Sequence, residues 1–213
     1  MATSLSTLRT RVQVLYDVAG SGVLSDDEWN QLVMDSYRKL WRTVVRINKD
    51  FRISVDTFTL TAGTQTRALP ATYRETRLVR SDPGTENARI LNRVTPRVGQ
   101  STWEKEYRLE GANLIIEPIG RCAGNYEHRY VPNVTALVDD ADEVDAELDQ
   151  FAEFIVYDAA NMALAREESE RLFEVDFQRA EKDVIAWASS QRSADPDTVE
   201  DVRRPNRWGV GVP

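Results

Sequence analysis

The sequence predicts an α+β fold: a bundle of about four helices, an inserted small, mostly antiparallel β-sheet, and an extended C-terminal tail. Three observations predict it. Apolar residues recur at helical spacing near both ends of the chain, they alternate with period two in the middle, and they lose all period after Asp195-Pro196. The expected division is residues 1–49 plus 142–192 as the helical bundle, 50–141 as the β-rich insertion and 193–213 as the tail.

The first helix is expected from Ser4 to Tyr16, where Leu5, Leu8, Val12 and Leu15 make one apolar face. Ala19-Gly20-Ser21-Gly22 ends it. The second, Asp26 to Ile47, has the clearest start signal. Ser25-Asp26-Asp27-Glu28 matches a capping box, with Leu24 as the apolar residue before it. Trp29, Val33, Tyr37, Leu40, Val44 and Ile47 then form a stripe widened by Leu32 and Trp41. At 1.5 Å per residue this helix is ~33 Å long, and so broad a stripe requires packing partners on more than one side.

From Phe51 the period becomes two. Phe51, Ile53 and Val55 alternate with polar residues, and Phe58 and Leu60 resume on the opposite parity, which predicts a bulge at Asp56-Thr57. A short edge piece at Arg67–Pro70 and a strand at Thr76–Arg80 follow, then a turn at Ser81-Asp82-Pro83-Gly84 and a strand at Ile90–Val94. Glu106–Leu109 and Leu114–Glu117 read as a hairpin. Tyr126–Val131 is the last strand, stopped by Pro132. A third helix is expected from Asp142 or Glu143 to Glu167, with Val144, Leu148, Phe151, Ile155, Ala159 and Met162 inward. A fourth runs from Glu168 to Gln191, with Phe173, Phe177, Ala180, Val184 and Trp187 or Ala188 inward.

Charge and chemistry narrow the function. The net charge of −8 opposes non-specific approach to DNA or an anionic membrane. Cys122 is the only cysteine, so no intramolecular disulfide forms and a reducing cytoplasm is the expected place of synthesis. No signal peptide is read behind Met1, and no stretch approaches the ~20 apolar residues of a membrane span. His128 is the only histidine and Cys122 has no CxxC partner, so no catalytic pair or zinc ligand set is apparent. Phosphate-binding glycine loops are missing. No enzyme and no cofactor or metal is expected.

Two charged groups leave alternatives open. Asp139, Asp140, Asp142, Glu143, Asp145, Glu147 and Asp149 read as a metal or catalytic carboxylate site, as a helix N-terminus that collects negative charge, or as an acidic band on a channel wall. Arg38, Arg42, Arg46 and Lys49 lie on one helical face. They read as solvated, as paired with acidic neighbours in another subunit, or as a phosphate-facing stripe of a DNA-binding module.

The order of motifs resembles the head-to-tail adaptor (connector) proteins of tailed bacteriophages. Leu24-Ser25-Asp26-Asp27-Glu28 precedes the long helix, and Thr61-Ala62-Gly63 and Ala68-Leu69-Pro70-Ala71 occupy the strand region. Tyr130-Val131-Pro132 and Asp139-Asp140-Ala141-Asp142 lead to the helix Glu153–Ala160 and the step Arg166-Glu167-Glu168. The resemblance covers Leu5 to Gln191. It implies a ring of identical subunits, typically twelve, under a dodecameric portal in the virion neck. A downstream tail or stopper protein would dock below, and double-stranded DNA would pass through without sequence-specific contact. A stopper or tail completion ring is the nearest alternative. Arg203, Arg204, Pro205, Asn206, Arg207 and Trp208 read either as a disordered terminus or as a portal-binding segment, since arginine and tryptophan dominate binding hot spots, and the resemblance tips the expectation toward portal binding. Trp29, Tyr37, Trp41, Phe151, Phe173 and Phe177 are the expected subunit-packing residues.

Overall fold

The computed structural model describes residues 2–19, 24–94, 104–166 and 171–191. The fold is α+β, and the described residues form four helices and two four-stranded sheets.

Helix α1 (Leu5–Ala19) buries Leu5, Leu8, Val12 and Tyr16. Its start is tied down by the chain that precedes α3: Leu5 N–H donates to Asp142 O at 2.8 Å and Thr3 N–H to Asp149 Oδ1 at 2.7 Å. Helix α2 (Asp26–Ile47) begins with the expected capping box. Ser25 N–H donates to Glu28 Oε2 at 2.9 Å and Glu28 N–H to Ser25 Oγ at 3.4 Å. Helix α3 (Ala152–Arg166) is apolar nearly all round, burying Phe154, Ile155, Val156, Ala159, Ala160, Ala163 and Leu164. A helix of that composition belongs in the centre, and α1, α2 and α4 (Glu174–Ser190) surround it.

The strands are β1 (Ser54–Leu60), β2 (Thr66–Ala68), β3 (Tyr73–Ser81), β4 (Arg89–Ile90), β5 (Asn92–Arg93), β6 (Glu106–Glu110), β7 (Asn113–Glu117) and β8 (Gly124–Pro132). One sheet has the order β1-β8-β3-β4 and the other β2-β7-β6-β5, all antiparallel except β5 with β6. Phe58, Leu60, Val79 and Tyr126 from the first sheet meet Tyr107, Leu114 and Ile116 from the second, with Leu91 and Cys122, in a core of their own. The helical core gathers the four helices together with Phe51, Val131, Leu137 and Leu148.

Several expectations need correction. The bulge at Asp56-Thr57 is not there: β1 pairs with β8 without a break from Ser54↔Tyr130 to Leu60↔Gly124. The parity change falls earlier, at the turn where Arg52 takes φ +52° and sends Phe51 into the helical core against Trp41 and Trp187. Irregularities lie instead in β3 opposite β8, between Tyr73 and Glu75 and between Thr76 and Leu78. The strand expected at Ile90–Val94 is split around buried Leu91, whose N–H donates to Val79 O, so the chain passes from one sheet to the other there.

Helix α3 starts at Ala152, about ten residues late. Asp142 Oδ2 accepts N–H groups of Val138 (2.7 Å) and Asp139 (2.8 Å), and Asp145 Oδ1 accepts Glu147 N–H (3.0 Å). Carboxylates that capture nearby N–H groups hold a loop in place of a helix. A 3₁₀ turn at Asp149–Phe151 leads into α3. Helix α4 starts at Glu174, six residues later than expected, after Phe173 N–H has donated to Asn161 Oδ1. The tail expected at 193–213 lies outside the described residues.

Candidate interaction surface

The apolar stripe of α2 fixes the phase of its outer face. Arg42, Arg46 and Lys49 follow at three- and four-residue steps and are exposed, while Arg38 is half-buried beside Asp35. Strand β3 runs alongside and brings Arg74 and Arg77 to the same place. Together with Lys39, these residues line a groove of about 620 Å³ that also contains Glu75 and Glu181. Six cations thus face two carboxylates. A second cleft of about 430 Å³ shares Arg42 and Arg74 and extends past Arg38 to Val134.

Partners divide these cations into two groups. Arg77 is fixed: it donates to Val45 O at 3.0 Å and to Glu75 Oε1 at 2.8 Å, and its buried Nε has no hydrogen-bond partner. Lys39 is held by Asp158. Arg42, Arg46, Lys49 and Arg74 make no ion pair or hydrogen bond among the described residues. Burial, and then the adjacent Arg42 cation, pulls the Arg74 guanidinium below the ordinary arginine range. Clustered cations without counter-charge repel one another, and the surface is relieved when an anion settles among them. Arginines stay protonated, so the groove offers fixed positive charge that suits a carboxylate or phosphate and does not move protons.

The other candidates have partners within the fold. The acidic run pins loops: Asp140 pairs with Arg9 (2.9 Å), Asp145 and Glu147 pair with Arg52 (2.8 and 3.5 Å), and Asp142 and Asp149 accept backbone N–H groups. The helix N-terminus reading of this run is therefore replaced by a loop-stapling one. Among the described residues no group of His, Cys, Asp and Glu is arranged to hold a metal ion. His128 is buried with its Nε2 3.0 Å from Thr76 Oγ1, between the Tyr73 and Tyr130 rings. Cys122 is buried with its Sγ 3.0 Å from Ile119 O and 3.1 Å from Thr64 O.

The aromatic residues expected at subunit contacts lie in the subunit's own core. Trp29, Tyr37, Trp41 and Phe177 are at most 7% exposed, and Phe151 and Phe173 pack at the core's edge against Trp187 and Tyr157. The expected portal-binding residues, Arg203, Arg204, Pro205, Asn206, Arg207 and Trp208, lie outside the described residues.

A fold of this kind hosts many functions, so sequence similarity has to supply the class. The chain matches the SU10 adaptor protein family over residues 3–206. It belongs to that family. The match takes in both sheets, all four helices and the segment as far as Asn206. No curated protein matches the chain. As an SU10 adaptor it is a phage structural protein and virion component that works by contact with other virion proteins. Among its described residues no helix is long and apolar enough to cross a membrane. The family match gives no role to individual side chains. Arg74 and Arg77 are the groove residues that the sequence left unread, because nothing local links β3 to a helix some thirty residues earlier.

Proposed function

We propose that this SU10 adaptor forms a ring of identical copies, twelve in number, in the virion neck, where it joins the portal to the tail and lines part of the DNA channel. The match over residues 3–206 carries the reading. The physical chemistry is consistent with it. Stable contacts between neighbours bury ~800 Å² a side, and a chain with a 22-residue helix α2 offers long surfaces for that. A charge of −8 per copy, repeated round a ring, repels phosphate and lets DNA slide. The helical bundle and the two-sheet insertion act as separate units, one for the ring wall and one toward the downstream tail or stopper protein. The segment Arg203–Trp208 reaches into the portal.

Truncation after Gln191 tests the portal contact. The shortened subunit keeps its helical circular dichroism and fails to join portal-bearing capsids. Normal joining by the shortened chain overturns the assignment of the tail. The basic groove favours one further reading, a DNA-binding module. Under that reading DNA affinity falls steeply with salt and collapses in Arg42→Glu/Arg46→Glu.

A further inference from the structure

We infer that the groove between α2 and β3 is the seat of this chain's own acidic segment, residues 195–201. Three observations meet there. The groove holds four cations without a partner among the described residues: Arg42, Arg46, Lys49 and Arg74. The stretch after α4 carries four carboxylates, Asp195, Asp197, Glu200 and Asp201, and no lysine or arginine from 193 to 202. The chain leaves α4 beside the groove, where Asn48 Nδ2 donates to Gln191 O at 3.5 Å, next to Lys49.

Reach is sufficient. Arg38 to Lys49 spans about 16 Å along α2 at 1.5 Å per residue. Ten extended residues from Gln191 cover about 34 Å, so the carboxylates can lie along the whole basic line. Pro196 favours the extended backbone that such a path needs. An attached segment is present at millimolar effective concentration, while a phosphate polymer must approach against the −8 charge of the whole chain. The segment therefore prevails over free nucleic acid. The contacts lie at the surface and are screened over about 10 Å at 0.1 M salt, so high salt releases the segment.

Carbodiimide coupling of the full-length protein tests this, because it joins a lysine amine to a carboxylate in contact. At low salt Lys49 links to Asp195, Asp197, Glu200 or Asp201 within one chain, read by mass spectrometry of a mixture of ¹⁴N- and ¹⁵N-labelled protein. The yield falls at least about tenfold in 1 M salt, where screening is short-ranged, and in the Arg42→Glu/Arg46→Glu variant. No link from Lys49 to 195–201 at low salt overturns the inference, as does an undiminished yield in the variant. In an equal mixture, mixed-isotope links at about half of the total, the statistical share for linking between copies, overturn docking within the chain and assign the groove to a second copy. Loss of the link on adding an equimolar DNA duplex overturns it in favour of nucleic acid. None of these outcomes depends on ring formation or on a portal.

Discussion

Lys39 Nζ donates to Asp158 Oδ1 at 2.6 Å and sits 4.3 Å from the centre of the Phe177 ring, so one ammonium ties α2 to both α3 and α4. Asp158 is 7% exposed and its other oxygen, Oδ2, has no hydrogen-bond partner, whereas Lys39 is 47% exposed. The pair is thus asymmetric. Its carboxylate depends on the lysine far more than the lysine depends on it.

Lys39→Met therefore leaves a buried carboxylate uncompensated and destabilises the fold by about 1–3 kcal/mol. Lys39→Met combined with Asp158→Leu recovers most of that loss, because the unpaired charge is gone. Chemical denaturation of the two variants and of Asp158→Leu alone measures the coupling. Equal loss in the single and double variants contradicts the account.

His128 makes the fold sensitive to mild acid. Burial lowers its pKa from the ordinary 6.5, against an opposing pull from the Asp56 carboxylate. The folded protein keeps the ring neutral, so the unfolded chain binds the extra proton. Stability is unaffected by this group above about pH 6.5 and declines as pH falls below it, toward the lower folded value. Denaturant midpoints at pH 7.5 and 5.5 should differ more in the wild type than in His128→Gln. The same difference in both proteins contradicts this assignment.

Cys122 reports on the core between the sheets. Its thiol is fully buried, and Tyr126 Oη donates to Cys122 O at 2.7 Å directly behind it. A thiol reagent reaches Cys122 only when this core opens, so labelling in native buffer runs at least ~100-fold slower than in denaturant. Tyr126→Phe speeds labelling while the helical circular dichroism stays unchanged. Rapid labelling of the native wild type contradicts the packing described.

What the sequence disclosed was local. The capping box at Ser25 and Glu28, the periodic stripe of α2 and the hairpin of β6 and β7 are each written in neighbouring residues, and the structure has each at its expected place. The start of α3 is not legible because Val144 and Leu148 keep helical spacing, while Val144 N–H is taken by Thr3 O, Asp145 N–H by Tyr37 Oη and Glu147 N–H by Asp145 Oδ1. The subunit-packing aromatics pointed inward for a similar reason: periodicity marks a buried face without saying what buries it. Half of the basic groove was visible on α2. The other half, Arg74 and Arg77, required the placement of β3, which only the tertiary fold supplies.

The most direct test of the ring on the portal is mass photometry of the purified 24.2 kDa protein with and without portal rings. The account predicts that the portal particle gains the mass of twelve adaptor copies, with negative-stain images showing a collar on one face. A portal peak that keeps its mass in the presence of excess adaptor contradicts it.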